Sequence, residues 1–437
     1  MSITDLIASL RYKCLLKLFK WQFKRLDFDT GKIDNRIAKL AEFIYRRYTS
    51  RFGALQADNR PLVAYIATEL YSVGGHTPCV VNLAESMTSQ EGGQVLYLSR
   101  LKKTEASVPA IIQRIRSAAG RVEGVDDSVR NVVNNTIELY NRIVSFSPRN
   151  LVIFIHQNDI LSAMVLYLLK QHTDIKLVFW NHASHYPNVA MHYAHCILEG
   201  TPTTLRVTEE RRFLHNGVIF GLQSKPVEQV VYYSTEAKAA KRAELGIEDG
   251  ELLTVSGGHP RKFFTPDDES EYFGMVLNLL KTMPHLKHVV MSSMGQRELK
   301  VIENIFAGYE GERSRLLLLQ PSREYELVFQ CSDLYIDSLP IGSAMTQIDC
   351  MYNKVPTVVY VNTGSLEHTF HEYMPPDYPY MYENVQLMEQ GIRFLLANPK
   401  ARQDAVELNY NYWLNNYESR TVAKKYLNIF DALRNEN

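Results

Sequence analysis

Short, uninterrupted apolar runs alternate with helical stretches along most of this chain, and no other feature of the sequence restricts its fold as strongly. The first set of runs is 62–67, 94–98, 151–156, 176–180 and 218–222. The runs are continuous rather than alternating, as expected for strands that are covered on both faces. We predict helices between them, at 80–89, 108–119, 129–145 and 160–171. This alternation indicates a parallel, doubly wound α/β sheet.

A second set of apolar runs follows a linker at 224–226. Its members are 229–233, 252–256, 288–292, 315–319, 334–337 and 357–361. A chain of 437 residues is too long for one ordinary core. We therefore predict two Rossmann-like domains, 1–225 with leading helices and 226–400. Residues 401–437 carry no further strand pattern, so we expect them to form helices that pack across the domains.

Composition excludes several classes of protein. Lys plus Arg and Asp plus Glu number 48 each, so the chain has no net positive field that would attract nucleic acid. The five cysteines are widely spaced and include no C-x-x-C pair, which favours a reducing compartment and buried thiols. No apolar stretch approaches the roughly 20 residues that cross a bilayer. Because Asp5 interrupts the start, it does not resemble a secretory signal. We expect a cytoplasmic protein.

A basic segment near the start of the chain suggests a further partner. No acidic residue occurs from position 6 to position 26. Helical spacing places basic side chains on one face and apolar ones beside them, namely Lys13, Lys17, Lys20 and Lys24 next to Tyr12, Leu16, Phe19 and Phe23. Two interpretations stay open. The helix contacts an anionic membrane peripherally, at its inner face, or it docks on its own domain with a solvated basic face.

A glycine pair follows the first predicted strand. Gly74 and Gly75 precede His76, and a helix is expected to open near Pro78. Glycines permit close backbone approach, and the amides at a helix start attract anions. The pair matches neither the dinucleotide-binding G-x-G-x-x-G motif nor the phosphate-binding P-loop. It is a candidate ligand-binding turn, with a plain turn as the alternative.

Histidines follow the strand that ends at Trp180. His182 and His185 lie where a strand-end loop can present a group for proton transfer near neutral pH. With His192 and His195 they also form a spacing that could bind zinc. A role in catalysis, simple packing and metal binding are the three interpretations.

Lys262 closes a turn that follows the run 252–256. Its ammonium group is a candidate to neutralise the phosphates of a leaving group. The alternative is a solvated basic turn.

The stretch 337–356 carries the most specific pattern, a strand, a small-residue turn, a helix that bears an acid and another strand. The candidate ligands are the N–H groups of Gly342, Ser343, Ala344 and Met345, the hydroxyl of Thr346 and the carboxylate of Asp349. The amides at the helix start would meet a diphosphate, and Asp349 would order the turn or bind a ribose.

This stretch resembles the donor-binding half of GT-B glycosyltransferases. The turn at Gly342, the acid Asp349 and the strand that begins after Pro356 match the family's pattern. With Glu367 and His368 downstream, the spacing is most similar to the bacterial adhesin glucosyltransferases related to O-GlcNAc transferase. Those enzymes use UDP-sugars and no metal.

The resemblance implies a GT-B architecture in which two Rossmann-like domains face a cleft. Residues 1–225 would lie on the acceptor side, and residues 226–400 would bind the nucleotide sugar, a UDP-hexose substrate, without a cofactor. Gly74, Gly75 and His368 join the donor-binding candidates, and His76, His182 or His185 would take the proton of the acceptor. The acceptor would be a glycan, a lipid-linked molecule or a protein, as in bacterial surface polysaccharide assembly.

Two other functions remain open. A non-catalytic GT-B partner of another transferase is favoured by the unusual turn Ser343-Ala344-Met345 and by the lack of the E-x7-E pair, since Ile341 stands eight residues before Asp349. A UDP-sugar epimerase would need acidic groups close to the sugar.

Overall fold

The computed structural model describes residues 2–22, 30–56, 58–71, 76–88, 93–182, 188–267, 269–322, 324–363 and 369–435. The chain forms two compact units. Unit 1 comprises Met1–Gln223 and Ser419–Asn437, and unit 2 comprises Ser224–Glu418. The tail expected at 401–437 is therefore divided between the two units.

Unit 1 is built on a parallel sheet of seven strands in the described part of the chain. The strands are β1 (Val63–Ala67), β2 (Gln94–Leu98), β3 (Gly120–Gly124), β4 (Asn150–Phe154), β5 (Lys176–Trp180), β6 (Cys196–Glu199) and β7 (Gly217–Ile219). Their spatial order is β3-β2-β1-β4-β5-β6-β7, so β1 and β4 lie inside the sheet. Every residue of β1, β2 and β4 is buried, as their continuous apolar sequences predict.

Helices cover this sheet. They are α1 (Ile3–Gln22), α2 (Thr30–Arg47), α3 (His76–Ser86), α4 (Leu101–Ser107), α5 (Pro109–Ala119), α6 (Val132–Phe146), α7 (Ile160–His172) and α8 (Pro202–Arg212). Helix α7 is apolar on nearly every side and buried from Ile160 to Val165. It therefore lies in the core, where α1, α2 and α6 pack against it.

Unit 2 repeats the parallel design with six strands among the described residues. They are β8 (Leu252–Gly257), β9 (Leu286–Met291), β10 (Leu316–Leu319), β11 (Leu334–Ile336), β12 (Thr357–Tyr360) and β13 (Met381–Tyr382), in the spatial order β10-β9-β8-β11-β12-β13. The remaining helices are α9 (Thr235–Glu244), α10 (Glu271–Thr282), α11 (Gln296–Ile305), α12 (Glu310–Arg313), α13 (Tyr325–Cys331), α14 (Ala344–Tyr352), α15 (Val385–Ala397), α16 (Pro399–Asn416) and α17 (Ser419–Asn435). Helix α17 belongs to unit 1, where it packs on α3.

Several elements differ from the sequence prediction. Residues 229–233 are not a strand. The Tyr233 N–H and the Val231 carbonyl form hydrogen bonds with the Gln330 side chain, and Val231 and Tyr232 are exposed. Strands β3, β6 and β13 were not predicted. β3 has the sequence Gly-Arg-Val-Glu-Gly and lies at the sheet edge, where burial does not demand an apolar run. β6 has four residues, of which the last is the acidic Glu199, so it has no continuous apolar run. β13 has only two residues, too few to show a pattern.

Helix α1 docks on unit 1 in the way that one of the two interpretations expects. Tyr12 and Phe19, which belong to the predicted apolar stripe, are buried in the unit's own core. The Tyr12 hydroxyl donates a hydrogen bond to Asp127 at 2.7 Å. Lys24 and Phe23 lie outside the described residues. Among the helices that the structure describes, none has the length and apolar character needed to span a bilayer.

The cysteines depart from the prediction at one position. Cys14, on α1, is exposed, whereas the other four thiols are buried as expected. All five cysteines are free thiols.

Candidate functional site

The carboxyl-terminal edge of the unit 2 sheet gathers the groups that were predicted to bind a donor. A short 3₁₀ turn, Pro260–Lys262, follows β8 and points Lys262 toward the loop after β11. The Lys262 Nζ donates hydrogen bonds to the Gly342 carbonyl oxygen at 2.9 Å and to the Ser343 hydroxyl at 3.0 Å. It also lies 5.5 Å from the centre of the Phe370 ring. The Lys262 side chain therefore contacts this loop and does not extend freely into solvent, as the alternative interpretation expected.

Asp337 organises this loop. It directly follows β11 and is completely buried. Its Oδ1 accepts a hydrogen bond from the Ser343 N–H at 3.1 Å, and its Oδ2 accepts one from the Gln347 side-chain amide at 2.9 Å. The carboxylate therefore links the end of the strand to the start of α14. Asp337 thus orders the turn, which was one of the two roles expected for Asp349, the other being ribose binding.

Gly342 is required by the close approach of the Asp337 carboxylate. A Cβ atom at this position would lie 2.8 Å from the Asp337 Oδ2, closer than side-chain carbons come to such atoms in folded proteins. The glycine thus lets the loop fold over a buried acid.

The start of α14 is not capped by the residue that precedes it. Ser343 occupies the N-cap position, but its hydroxyl makes no capping hydrogen bond and instead contacts Lys262 and Ser338. The first-turn residues Ala344, Met345 and Thr346 are half-buried. Backbone N–H groups in the first turn of a helix have no acceptor within that helix, so those of Ala344, Met345 and Thr346 are suited to bind an anion. The Ser343 N–H is different, because Asp337 already accepts its hydrogen bond.

Burial shifts the two charged groups of this loop in opposite directions. It lowers the pKa of Lys262, although the nearby Asp337 carboxylate counteracts the shift. It raises the pKa of Asp337, and the Lys262 cation and the hydrogen bonds from Gln347 and Ser343 oppose that change. Each group therefore stabilises the charged form of the other in a site from which water is largely excluded.

Asp349 belongs to a separate cluster of unit 2. Its Oδ1 accepts a hydrogen bond from the Tyr352 hydroxyl at 2.9 Å. The same hydroxyl lies 3.1 Å from the Glu326 carboxylate, which also forms an ion pair with Lys225. Burial raises the pKa of Asp349 to about 7. Tyr352 donates to Oδ1, so the carboxylate keeps further acceptor sites for a ribose hydroxyl.

At the carboxyl-terminal edge of the unit 1 sheet, three histidines come together. His76 begins α3, His156 follows β4 and His182 follows β5. The ring centres lie 4.6 Å apart for His76 and His182, 5.7 Å for His76 and His156, and 6.4 Å for His156 and His182. Trp180 stacks on His182 at 5.2 Å. Strand-end positions therefore place residues from three distant parts of the sequence in one cluster.

The tautomer of His76 follows from its surroundings. Its Nε2 lies 2.9 Å from the carbonyl oxygen of Phe154, which only accepts hydrogen bonds, so Nε2 carries the proton. Nδ1 is then the basic nitrogen, and it has no hydrogen-bond partner among the residues that the structure describes. Burial lowers the pKa of His76 to about 4, so the ring is neutral at physiological pH.

A buried acid lies beside the histidines. Glu69 follows β1 and forms ion pairs with Arg100 at 2.9 Å and with Lys103 at 2.6 Å. The Tyr71 hydroxyl donates a hydrogen bond to Glu69 at 3.0 Å, and the Tyr71 ring stacks on His156 with 5.4 Å between the ring centres. Burial raises the pKa of Glu69, but the contacts with Lys103, Tyr71 and Arg100 outweigh it, and the pKa is lowered overall. Glu69 is therefore a carboxylate at neutral pH.

The other two histidines of the predicted zinc spacing have structural contacts elsewhere. The His192 Nδ1 lies 2.8 Å from the Asp34 carboxylate, and the His195 Nδ1 accepts a hydrogen bond from the Leu177 N–H at 2.9 Å. No group of three or more His, Cys, Asp or Glu side chains within the described ranges has an arrangement that could hold a metal ion.

Four predicted site residues lie outside the described residues. They are Gly74, Gly75, His185 and His368.

Sequence reasoning missed three residues of these edges. Asp337 was read only as the end of a strand, and His156 and Glu69 were not assigned a role. The signal that could have identified them is positional, since each directly follows or nearly follows a strand of a parallel sheet, where ligand sites form.

The sequence matches no protein-family model and no curated protein. Its fold, however, is shared by many solved structures. HepE of Anabaena, solved in complex with UDP and glucose, has a TM-score of 0.64 at 10% identity, and the match covers 85% of this chain and 100% of HepE. A glycosyltransferase from Rickettsia africae has a TM-score of 0.66 at 11% identity, covering 87% of this chain and 100% of that one. An O-GlcNAc transferase mutant of Thermobaculum terrenum has a TM-score of 0.59 at 12% identity, covering 98% and 79%. The predicted fold class, GT-B, is confirmed.

Proposed function

We propose that this chain is a glycosyltransferase that moves a sugar from a nucleotide sugar, in the first instance a UDP-hexose, to an acceptor hydroxyl without a metal ion. One observation carries the proposal. A half-buried lysine, Lys262, and the uncapped start of α14 converge at the carboxyl-terminal edge of the unit 2 sheet, in a fold whose solved examples include a complex with UDP and glucose.

The donor side of the reaction is assigned to unit 2. During transfer, a bond forms between the acceptor oxygen and the anomeric carbon while the bond from that carbon to the diphosphate oxygen breaks. The electron pair leaves with the nucleotide, so negative charge grows on its phosphates. Lys262 and the N–H groups of Ala344, Met345 and Thr346 are fixed in place before the reaction and would stabilise that charge. Gly342 and Asp337 hold the loop that carries them.

The nucleoside would extend from the same loop. Asp349 lies one turn and a half along α14 from its start and remains our candidate for a ribose hydroxyl. Ser343 contributes through its side chain, because its hydroxyl accepts a hydrogen bond from Lys262. His368 remains a proposed donor contact because of the family resemblance. Gly74 and Gly75 remain proposed donor contacts because of that resemblance and of their position before a helix start.

The acceptor side is assigned to unit 1. The acceptor hydroxyl must lose a proton, and a neutral imidazole can take it. His76 is favoured, because the Phe154 carbonyl fixes its tautomer and leaves the basic Nδ1 without a partner among the described residues. His182 and His185 are the alternative bases. Glu69 would position His156 and stabilise positive charge on the cluster.

The identity of the acceptor is proposed more broadly. The resemblance to bacterial adhesin glucosyltransferases points to a glycan, a lipid-linked molecule or a protein, and to surface polysaccharide assembly on the cytoplasmic side.

Binding of UDP tests the donor site. Calorimetry should detect UDP binding to the wild type, and Lys262→Met should weaken it roughly 10- to 100-fold, because a charge-assisted hydrogen bond contributes about 1.5–3 kcal/mol. Lys281→Met is the matched control. Lys281 is exposed in the last turn of α10 and contacts Tyr309, and its loss should leave UDP binding unchanged. A wild type that binds no UDP and releases none from any UDP-sugar would end this proposal.

One observation favours the non-catalytic alternative. Lys262 and the Ser343 N–H already have partners within the protein. A transferase should lose biological activity in a complementation assay when Lys262 is replaced, whereas a non-catalytic partner should retain it.

A further inference from the structure

Helix α1 has an apolar surface that its own unit leaves uncovered. Ile3, Leu6, Ile7 and Leu10 are 80%, 47%, 38% and 55% exposed. Their spacing of three and four residues places them on one side of the helix. The opposite side, with Ala8, Tyr12, Leu15 and Phe19, is buried in the core of unit 1. This exposed face differs from the stripe that the sequence predicted, and we call it the outer face of α1.

The outer face continues into a basic region. Farther along the same side, Lys13, Lys17 and Lys20 are exposed, and Arg11 is exposed beside Leu10. One end of the helix is therefore apolar and the other is cationic.

The neighbouring helix adds to this charge. The Ser2 and Asp5 side chains contact Tyr48 just beyond the end of α2, and Arg11 lies over Phe43 within it, so α1 and α2 run antiparallel in contact. Helix α2 exposes basic side chains of its own, at Lys32, Arg36, Lys39, Arg46 and Arg47.

The acids of this helix pair are occupied. The two helices carry nine basic residues and three acidic ones. Asp5 accepts a hydrogen bond from Tyr48, and Asp34 is buried and contacts His192. Glu42 forms an ion pair with Arg46. The chain as a whole is neutral, so positive charge is concentrated here rather than spread evenly.

We infer that the outer face of α1 docks on an anionic lipid bilayer, with Ile3, Leu6, Ile7 and Leu10 inserted among the headgroups and the basic residues at the lipid phosphates. Charge complementarity supports this occupant, since basic residues near a membrane surface attract anionic lipids. A protein partner fits less well, because lysine is depleted from protein interfaces and aromatic residues are enriched. The four apolar residues of this face include no aromatic ring.

This inference goes beyond the proposed function and does not depend on it. Lipid docking involves α1 and α2 of unit 1, whereas donor binding is assigned to unit 2. A failure of one experiment therefore leaves the other interpretable. If both hold, the protein transfers sugar at a membrane surface, which favours a lipid-linked acceptor.

Cys14 provides a reporter within the outer face. It is the exposed cysteine of the chain and lies between Leu10 and Lys17 on the same side of α1, while the other four thiols are buried. An environment-sensitive fluorophore on Cys14 should shift to the blue when the full-length protein meets vesicles of phosphatidylcholine and phosphatidylglycerol. Vesicles of phosphatidylcholine alone should give no shift, and high salt should reverse it.

Two variants and a control test the surface by vesicle co-sedimentation. Replacing Lys13, Lys17 and Lys20 together with Ala should weaken binding about 100-fold, since each basic residue contributes about 1 kcal/mol. Leu6→Ser with Leu10→Ser should weaken it as well. The matched control replaces three exposed lysines of unit 2, Lys281, Lys300 and Lys400, with Ala and should bind like the wild type. All these side chains are exposed, so thermal unfolding should change little.

Three results would overturn the inference. The first is equal vesicle binding by the wild type and the α1 lysine variant. The second is equal binding to anionic and neutral vesicles. The third is a dimer in sedimentation analysis that the Leu6 and Leu10 changes disrupt, without vesicle binding, because a second copy of the chain would then occupy the face.

Discussion

Replacing Gly342 with Ala probes the loop on which the proposed donor site depends. The new methyl carbon would lie 2.8 Å from the Asp337 Oδ2. The carboxylate cannot turn aside freely, because it is completely buried and both of its oxygens accept hydrogen bonds. Relief of the contact must therefore weaken the bond from Ser343 or from Gln347, or move the loop.

The expected magnitude follows from these contacts. A hydrogen bond to a charged group contributes about 1.5–3 kcal/mol to stability. The added methyl group restricts the unfolded chain, which offsets about 0.4–1 kcal/mol of that loss. We expect Gly342→Ala to lower the free energy of unfolding by about 1–2 kcal/mol. Because the Ser343 backbone leads into α14, we also expect UDP to bind roughly tenfold more weakly, about 1.4 kcal/mol.

Gly274→Ala is the control within the same unit. Gly274 lies in α10, and a Cβ atom there would meet no atom within 4 Å. Alanine is favoured over glycine in a helix by up to about 1 kcal/mol, so this variant should be at least as stable as the wild type. Urea unfolding followed by circular dichroism, with UDP calorimetry, compares the two. The reasoning is refuted if Gly342→Ala matches Gly274→Ala in stability, or if it binds UDP like the wild type.

Two further predictions concern buried titratable groups. His288 contacts Thr254 and Tyr272, and burial lowers its pKa to about 3. Neutral His288 stabilises the fold fully above the unfolded pKa of about 6.5, and roughly 3 kcal/mol of this stability is lost when the pH falls to 4. His288→Gln should therefore flatten the dependence of the free energy of unfolding in urea on pH between 7 and 4. An unchanged slope would contradict this. Burial raises the pKa of Asp349 to about 7. Protonated Asp349 therefore stabilises the folded state at low pH, and this stability is lost as the pH rises through that value. Asp349→Asn should therefore raise the unfolding temperature at pH 8 and not at pH 4. An equal effect at both pH values would refute the raised pKa of Asp349. Weaker UDP binding by this variant would separately support the ribose role.

The sequence was sufficient for features that depend on neighbouring residues. Continuous apolar runs predicted the interior strands β1, β2, β5 and β8 within about one residue of their bounds, because a strand covered on both faces must be apolar throughout. Strand ends then located Lys262, His182 and Gly342 at sheet edges, since parallel strands align their carboxyl ends. The edge strand β3 was missed, because Gly120–Gly124 is half-exposed and partial burial leaves no continuous apolar pattern.

Only the tertiary structure decided which groups meet. His76, His156 and His182 are up to 106 positions apart in the sequence, and periodicity within one segment carries no information about contacts at that separation. The same holds for Asp337, whose role depends on Gln347 and Ser343 reaching back to it. The sequence determined that α1 would be amphipathic and basic. Packing against unit 1 decided that Tyr12 and Phe19 lie inside, because a helix with apolar residues on two sides can bury only the side that fits its neighbours.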